Sequence, residues 1–165
     1  MDKLGQCLGV IVATCAPEFN RQNRGMKKIY FASLAYLVLG LAAGVFYREF
    51  TKHYDFEGEK TQLSVVHTHL LTLGFIFLLI VLLLEKQFGL TKHGFFNPAF
   101  WLFNAGLVTA TTMMVWHGIY QVLGVEFGPA LSGIAGLGHI VMSLGLVGIT
   151  VTLGSSVFAS SKGKN

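Results

Sequence analysis

Four long stretches without Asp, Glu, Lys or Arg constrain the fold of this chain most strongly; they cover residues 29–47, 61–84, 93–125 and 127–161. A helix needs about 20 predominantly apolar residues to cross a bilayer, and each stretch is about that long or longer. The composition agrees, because 53% of the 165 residues are hydrophobic, 12% are charged and the mean hydropathy is +0.60. We therefore predict an all-α integral membrane protein, a four-helix bundle in a single domain.

Residues that favour helix starts and exits set the predicted bounds of the four spans. These signals are Asn97-Pro98 and Gly128-Pro129 for the starts, and Gly89 and Gly124 for the exits. In chain order, the spans are predicted near residues 28–49, 62–86, 97–123 and 130–155. They form one membrane domain, residues 26–158, followed by a cytoplasmic tail, residues 159–165.

The first 25 residues differ from the rest, because they are apolar only over residues 8–13 and then become polar. We predict a poorly ordered N-terminal extension over residues 1–25, with Met26 as a second possible start. A weak signal sequence is the other interpretation. Cys7 and Cys15 lie here without the spacing of a zinc site, and we interpret them as reduced bystanders.

The distribution of Lys and Arg between the two sides of the membrane predicts the orientation. One side has Arg21, Arg24, Lys27, Lys28, Lys86, Lys92, Lys162 and Lys164. The other side has Arg48, Lys52 and Lys60. Because cytoplasmic segments carry the excess of positive charge, both termini are predicted to be cytoplasmic, in a bacterial cell membrane. The net charge of +4 then reflects orientation, and nothing indicates a nucleic-acid partner.

Four of the six histidines fall inside the predicted spans: His67, His69, His117 and His139. With a rise of about 1.5 Å per residue, all four lie roughly one to three turns below the same, outer surface. A lone histidine at such a depth is often explained by an interhelical hydrogen bond, but ionisable residues inside membranes are rare and usually functional. Since three spans contribute, we predict a shared ligand in the outer half of the bilayer.

The two histidines of the second span cannot both point at one centre. His67 and His69 are two residues apart, which is about 200° around a helix. His67 shares its face with Gly74, where the missing side chain would leave room for a ring, and this favours His67. His69 shares its face with Thr72 and Ile76. Which of the two histidines binds is left open.

Small residues follow the face of the fourth span that carries His139. This stripe, at helical spacing, consists of Ser132, Ala135, Gly136, His139 and Ser143. A face with so little side-chain bulk admits either a flat macrocycle or another helix. The same feature makes a homo-oligomer plausible.

Methionines lie about one turn inward of the histidines of the third and fourth spans; they are Met113, Met114 and Met142. Thioether sulfur together with imidazole suits Cu(I). Methionine is also an ordinary filler of irregular apolar spaces. The pattern alone leaves both interpretations open.

The segment VVHTHLLTLGF, residues 65–75, resembles the His-x-His segment of haem–copper oxidase catalytic subunits, especially the cbb3 type, and the nitric-oxide-response haem and copper membrane proteins. Together with YLVLGLAAGVFYREFTK and SGIAGLGHI, it is also similar to a family of small four-span bacterial membrane proteins of unassigned function, over about residues 26–155. The chain has no room for a twelve-span oxidase core, so oxygen reduction and proton pumping do not carry over. What the resemblance implies is haem ligation by His67 or His69, opposite a histidine of another helix.

The leading hypothesis is a membrane-embedded haem b protein for electron transfer or for haem or gas sensing. His139 and one of His67 or His69 would be the axial ligands, and His117 would be a second-site ligand or would orient the first two. Arg48 is placed to meet haem propionates at the outer surface. A redox partner is then expected.

Two alternatives belong to other classes. One is a copper or zinc binding or transport protein, with the metal held by His67 or His69 together with His117 and His139, and with the methionines as softer neighbours. The other is a structural interaction subunit without a cofactor. The sequence has no phosphate-binding loop, no nucleophile–base arrangement and no Cys-x-x-Cys-His motif, so it gives no support for an enzyme.

Overall fold

The fold is entirely helical over the residues that the computed structural model describes, which are 3–56, 59–126 and 128–162, with side chains described for residue 20 and within 22–159. The helices are α1 (Lys3–His53), α2 (Leu63–His69), a π-helical segment (Leu70–Ile76), α3 (Phe77–Phe88), a 3-10 turn (Leu90–Lys92), α4 (Phe96–Val122) and α5 (Pro129–Lys162). The π-helical segment continues α2 into α3, so these three pieces form the second span. The predicted all-α class is confirmed.

Four helical stretches are long and apolar enough to cross a membrane, as the sequence predicts. They are Gln22–His53, Leu63–Phe88, Phe96–Val122 and Pro129–Ala159. Many large apolar side chains on their outer faces are exposed, for example Leu83 at 67% and Val45 at 65%. A monomeric soluble protein rarely exposes so many apolar side chains to water. Their exposure is expected of a surface that lipid covers.

The helix ends agree with most of the turn signals. Gly89 and Gly124 adopt the left-handed conformation, with φ of +63° and +68°, and the Gly89 N–H donates to the Glu85 carbonyl at 2.8 Å. Pro129 begins α5. Asn97 does not cap α4, which begins at Phe96; its side-chain oxygen instead accepts a hydrogen bond from the Lys28 ammonium.

The helix of the first span begins well before the predicted start of that span. Helix α1 runs from Lys3 to His53 and so includes residues 3–25. The physical reason is cooperativity, because each residue added to an existing helix gains a backbone bond without a new nucleation step. The side chains of Cys7 and Cys15 lie outside the described ones, as do residues 163–165 at the end of the predicted tail.

Glycines bring α4 and α5 into close contact along much of their length. A Cβ added at Gly106 would lie 2.2 Å from the backbone nitrogen of Met142, and one at Gly145 would lie 2.3 Å from that of Phe103. Neither contact leaves room for a side chain. Because Met142 is only three residues after His139, this interface positions that histidine.

The second span packs against α1 and α4, and its lower part, α3, also contacts α5. The ring of Tyr36 packs directly against Gly74, where an added Cβ would lie 2.4 Å from Tyr36 Cγ. The Tyr36 hydroxyl donates to the side-chain oxygen of Asn104 at 2.9 Å, which ties α1 to α4. Gly74 lies within the π-helical segment, which directly follows His69. Such segments are rare and occur frequently at functional sites.

A buried carboxylate lies at the end of the bundle opposite the histidines. Glu85 is 0% exposed and accepts hydrogen bonds from the backbone N–H of Thr91 at 2.7 Å and from its hydroxyl at 2.5 Å. Its carboxylate also interacts electrostatically with Lys28. Sequence analysis missed this residue because Glu85 follows the apolar run of the second span directly and looks like an ordinary flanking charge.

Candidate functional site

The structure brings together two of the four predicted histidines from different spans. The rings of His69, at the end of α2, and His139, on α5, have centroids 6.4 Å apart and planes 87° apart. His69 is half-buried and His139 is exposed. Of the two candidates in the second span, it is therefore His69 that faces the histidine of the fourth span.

Each of the two rings is held by its own helix. Nδ1 of His69 lies 2.9 Å from the carbonyl oxygen of Val65, and Nδ1 of His139 lies 2.9 Å from that of Ala135. A carbonyl oxygen can only accept, so Nδ1 carries the hydrogen in both rings and Nε2 of the neutral imidazole keeps its lone pair. A hydrogen bond of this kind fixes the tautomer and orients metal-ligating histidines.

The centroid separation leaves space for one metal ion only in an arrangement in which both Nε2 atoms point at it. A ligating imidazole nitrogen lies about 2 Å from its metal and about 1.2 Å from its own ring centre, so two imidazoles on opposite sides of one ion would have centroids about 6.4 Å apart. The observed 6.4 Å is close to that value. Perpendicular planes occur both in such a pair and in an edge-to-face contact of two rings without a ligand.

The space beside the two histidines suits a flat ligand. On α5, an added Cβ at Gly133 or Gly136 would meet no described atom within 4 Å, and Ser132 and Ser143 are exposed. On the second span, Thr72 and Ile76, which share the face of His69, are exposed as well. The stripe of small residues predicted around His139 is therefore an open surface.

His67 lies on a different face of the second span. An added Cβ at Gly44 of α1 would lie 3.8 Å from His67 Cβ, so this histidine packs against the first span. Its Nδ1 is buried without a hydrogen-bond partner among the described residues. The space expected at Gly74, which favoured His67, is filled by the ring of Tyr36.

His117 lies further out, beside a tight contact between spans. Its neighbour Gly118 packs against Leu63 and Thr61 at the start of the second span, and the Thr61 hydroxyl donates to the Gly118 carbonyl at 3.0 Å. Among the described residues, no three His, Cys, Asp or Glu side chains come together in a group that could hold a metal ion.

The methionines near the histidines take part in packing. Met114 is buried in the core, and Met142 packs against it from α5. The backbone of Met142 is also the contact that Gly106 accommodates. The filler interpretation accounts for these two side chains.

The charged groups near the histidines are divided between two faces. Arg48 is exposed and pairs with Glu49 at 3.9 Å. It lies one turn beyond Gly44, the residue of α1 that contacts His67, and therefore on the same face of α1 as that contact. On the other face, a polar cavity of about 410 Å³ adjoins Val65, whose carbonyl holds His69. It is lined by Lys60, Thr61, Gln62, Ser64, Val65 and Gln121.

Sequence analysis missed two kinds of contributor to this site. The carbonyls of Val65 and Ala135 each lie four residues before a histidine, a spacing that any helical residue has and that signals nothing by itself. Lys60 was counted only as a loop charge. Lys60 precedes α2, which begins at Leu63, so no helical spacing relates it to His69 and the sequence carries no signal for this cavity.

Comparison with known proteins assigns a family. No curated protein and no solved structure matches the chain, and nothing in these comparisons supports the local likeness to haem–copper oxidases. Residues 26–156, most of the chain, match a family described as protein of unknown function (DUF2871). This agrees with the predicted likeness to a small family of unassigned function over nearly the same residues, and the chain belongs to the DUF2871 family.

Proposed function

We propose that this protein is a membrane-embedded haem b protein whose axial ligands are His69 and His139. The observation that carries the proposal is the pair of imidazoles from two spans, 6.4 Å apart, each held through Nδ1 by its own helix. Haem iron supplies one-electron redox chemistry when bound. The open faces around Gly136 and Thr72 are where the macrocycle would lie.

The donor set favours haem over a bare zinc ion. A structural zinc site needs four ligands, and a catalytic one usually has three from the protein, whereas the described residues offer no group of three. Haem needs only one or two axial ligands from the protein, because the porphyrin supplies the other four. The two-histidine arrangement is therefore sufficient for haem.

The hydrogen bonds also disfavour a purely structural role for this pair. A structural role predicts bonds between helices, but Nδ1 of His69 and of His139 each bonds within its own helix. Because Nδ1 donates to a carbonyl of the same helix, Nε2 of each ring can bind a ligand.

Haem held by two axial histidines favours a function in electron transfer or haem sensing. With both axial positions filled, an external gas has no open position on the iron. Lys60, with Gln62 and Gln121, lines the polar cavity near His69 and is suited to receive haem propionates. A redox partner would approach from this end of the bundle.

The test is the visible spectrum of protein produced with haem available and purified in detergent. We expect a Soret band with about one haem per chain and a low-spin spectrum. His69→Ala and His139→Ala should each lose the low-spin spectrum and most of the haem, while the matched variants His67→Ala and His117→Ala should keep both.

A space-filling variant covers the case in which a histidine variant fails to fold. Gly136→Leu should fold and lose haem because its side chain occupies the open face, whereas Gly154→Leu, at another open position on α5, should bind haem normally. A colourless wild-type protein, or a spectrum unchanged in both His69→Ala and His139→Ala, would refute the proposal.

A further inference from the structure

Two neighbouring cavities follow one another along α1 and α4, starting at the end of the bundle away from the histidines. The first, of about 220 Å³, is polar and is lined by Arg24, Gly25, Lys28, Thr91 and Asn97. The second, of about 590 Å³, begins one turn further along α1 and runs as an apolar groove between α1 and α4. It is lined by Ala32, Ala35, Tyr36, Leu39, Trp101, Asn104, Ala105, Val108 and Thr109.

The polar cavity has the charge of an anion site. Arg24 and Lys28 bring two positive charges, and the buried Glu85, which interacts with Lys28, brings one negative charge. Glu85 is already held by both donors of Thr91. The two basic side chains in the lining therefore suit a phosphate group.

Lys28 is oriented at the junction of the two cavities. Its ammonium donates to the side-chain oxygen of Asn97 and lies 4.7 Å from the ring centre of Phe100 and 5.9 Å from that of Trp101. An ammonium has three donors, so Asn97 leaves two for a ligand. Aromatic rings hold the cation at the mouth of the groove.

The dimensions match one leaflet of a bilayer. Lys28 and Leu39 are eleven residues apart on α1, about 16 Å along a helix. Half of the hydrocarbon core is about 15 Å thick. The small side chains of Ala32, Ala35 and Ala105 make the groove, and its apolar lining suits an acyl chain.

We infer that these cavities form a binding site for one anionic phospholipid, with its phosphate at Arg24 and Lys28 and one acyl chain in the groove between α1 and α4. Basic pockets between membrane helices on the cytoplasmic side bind acidic lipid headgroups, and this end of the bundle is the one predicted to be cytoplasmic. None of the histidines lines either cavity, and the inference does not depend on haem.

The experiment measures thermal unfolding and native mass spectra of the full chain in uncharged detergent after lipid removal. We expect phosphatidylglycerol to raise the midpoint and to remain bound in the mass spectrum, while phosphatidylcholine and inorganic phosphate do neither. Arg24→Gln and Lys28→Gln should each weaken phosphatidylglycerol binding about fivefold. Lys27→Gln, an exposed neighbour outside the cavity lining, is the matched control.

The groove is tested by Ala105→Phe, which should abolish lipid retention, with Ala130→Phe on the exposed part of α5 as its control. Since Lys28 also interacts with Glu85, the exposed Arg24 keeps the test valid if Lys28→Gln is unstable. Four outcomes would overturn the inference: equal effects of both lipids, a full effect of phosphate alone, retention by Ala105→Phe, or a change in oligomeric state in that variant, which would show that a second copy fills the groove.

Discussion

Glycine residues in this protein have two different surroundings, and the difference predicts their roles. At Gly106, Gly145 and Gly74 an added Cβ would lie within 2.4 Å of another helix. At Gly133 and Gly136 it would meet no described atom within 4 Å. The first group therefore sets how closely the helices approach, while the second leaves space beside His139. The sequence alone does not distinguish the two groups of glycines, because both lie within apolar spans at helical spacing.

Gly106→Ala should destabilise the protein by roughly 1–3 kcal/mol, because its Cβ would force α4 away from the backbone of Met142. Unfolding by denaturant in detergent measures the loss. Gly133→Ala is the control and should be neutral or slightly stabilising, since alanine favours a helix over glycine. Equal stability of the two variants would show that α4 and α5 do not meet at Gly106.

The connection between the second and third spans is held by hydrogen bonds to one buried carboxylate. Glu85, in the last turn of α3, receives the backbone and hydroxyl donors of Thr91 in the following 3-10 turn. Gly89 between them allows the chain to reverse, because its left-handed conformation is open to glycine. The carboxylate therefore fixes how α3 leads into α4.

Glu85→Ala should cost roughly 1–3 kcal/mol of stability, because it leaves the Thr91 N–H buried without an acceptor. Glu85→Gln should lose less, since its amide oxygen still accepts one hydrogen bond. Both are compared in the same unfolding measurement with Glu59→Ala, at an exposed loop position, which should not differ from wild type. A loss no larger for Glu85→Ala than for Glu59→Ala would contradict the role of the buried carboxylate.

At the scale of the whole molecule, orientation links the two proposals. The Lys and Arg distribution predicts that both termini are cytoplasmic. The His69–His139 pair then lies near the outer surface, and the basic cavity around Lys28 lies near the inner one. A reversed molecule would exchange the two ends and place the proposed lipid site in the outer leaflet.

Cysteine labelling tests this orientation in a chain in which Cys7 and Cys15 are replaced by Ser. We expect a membrane-impermeant maleimide to label Glu59→Cys in intact cells and Gly94→Cys only after permeabilisation, because the two residues lie at opposite ends of the second span. Labelling of both in permeabilised cells controls for reactivity. The reverse pattern in intact cells would invert the predicted topology.

The number of candidate spans, their approximate bounds and the helical class followed from the sequence, because long charge-free stretches and turn residues are local properties. The candidate ligands followed in part, since a histidine inside an apolar span is visible in a single sequence. Which of His67 and His69 lies beside His139 was decided only by the tertiary structure. The answer depends on how each helix is rotated against its neighbours, and close contacts at Gly44, Gly74 and Gly106 determine that rotation. The burial of Glu85 likewise arises only when α1, α3 and the turn at Thr91 come together.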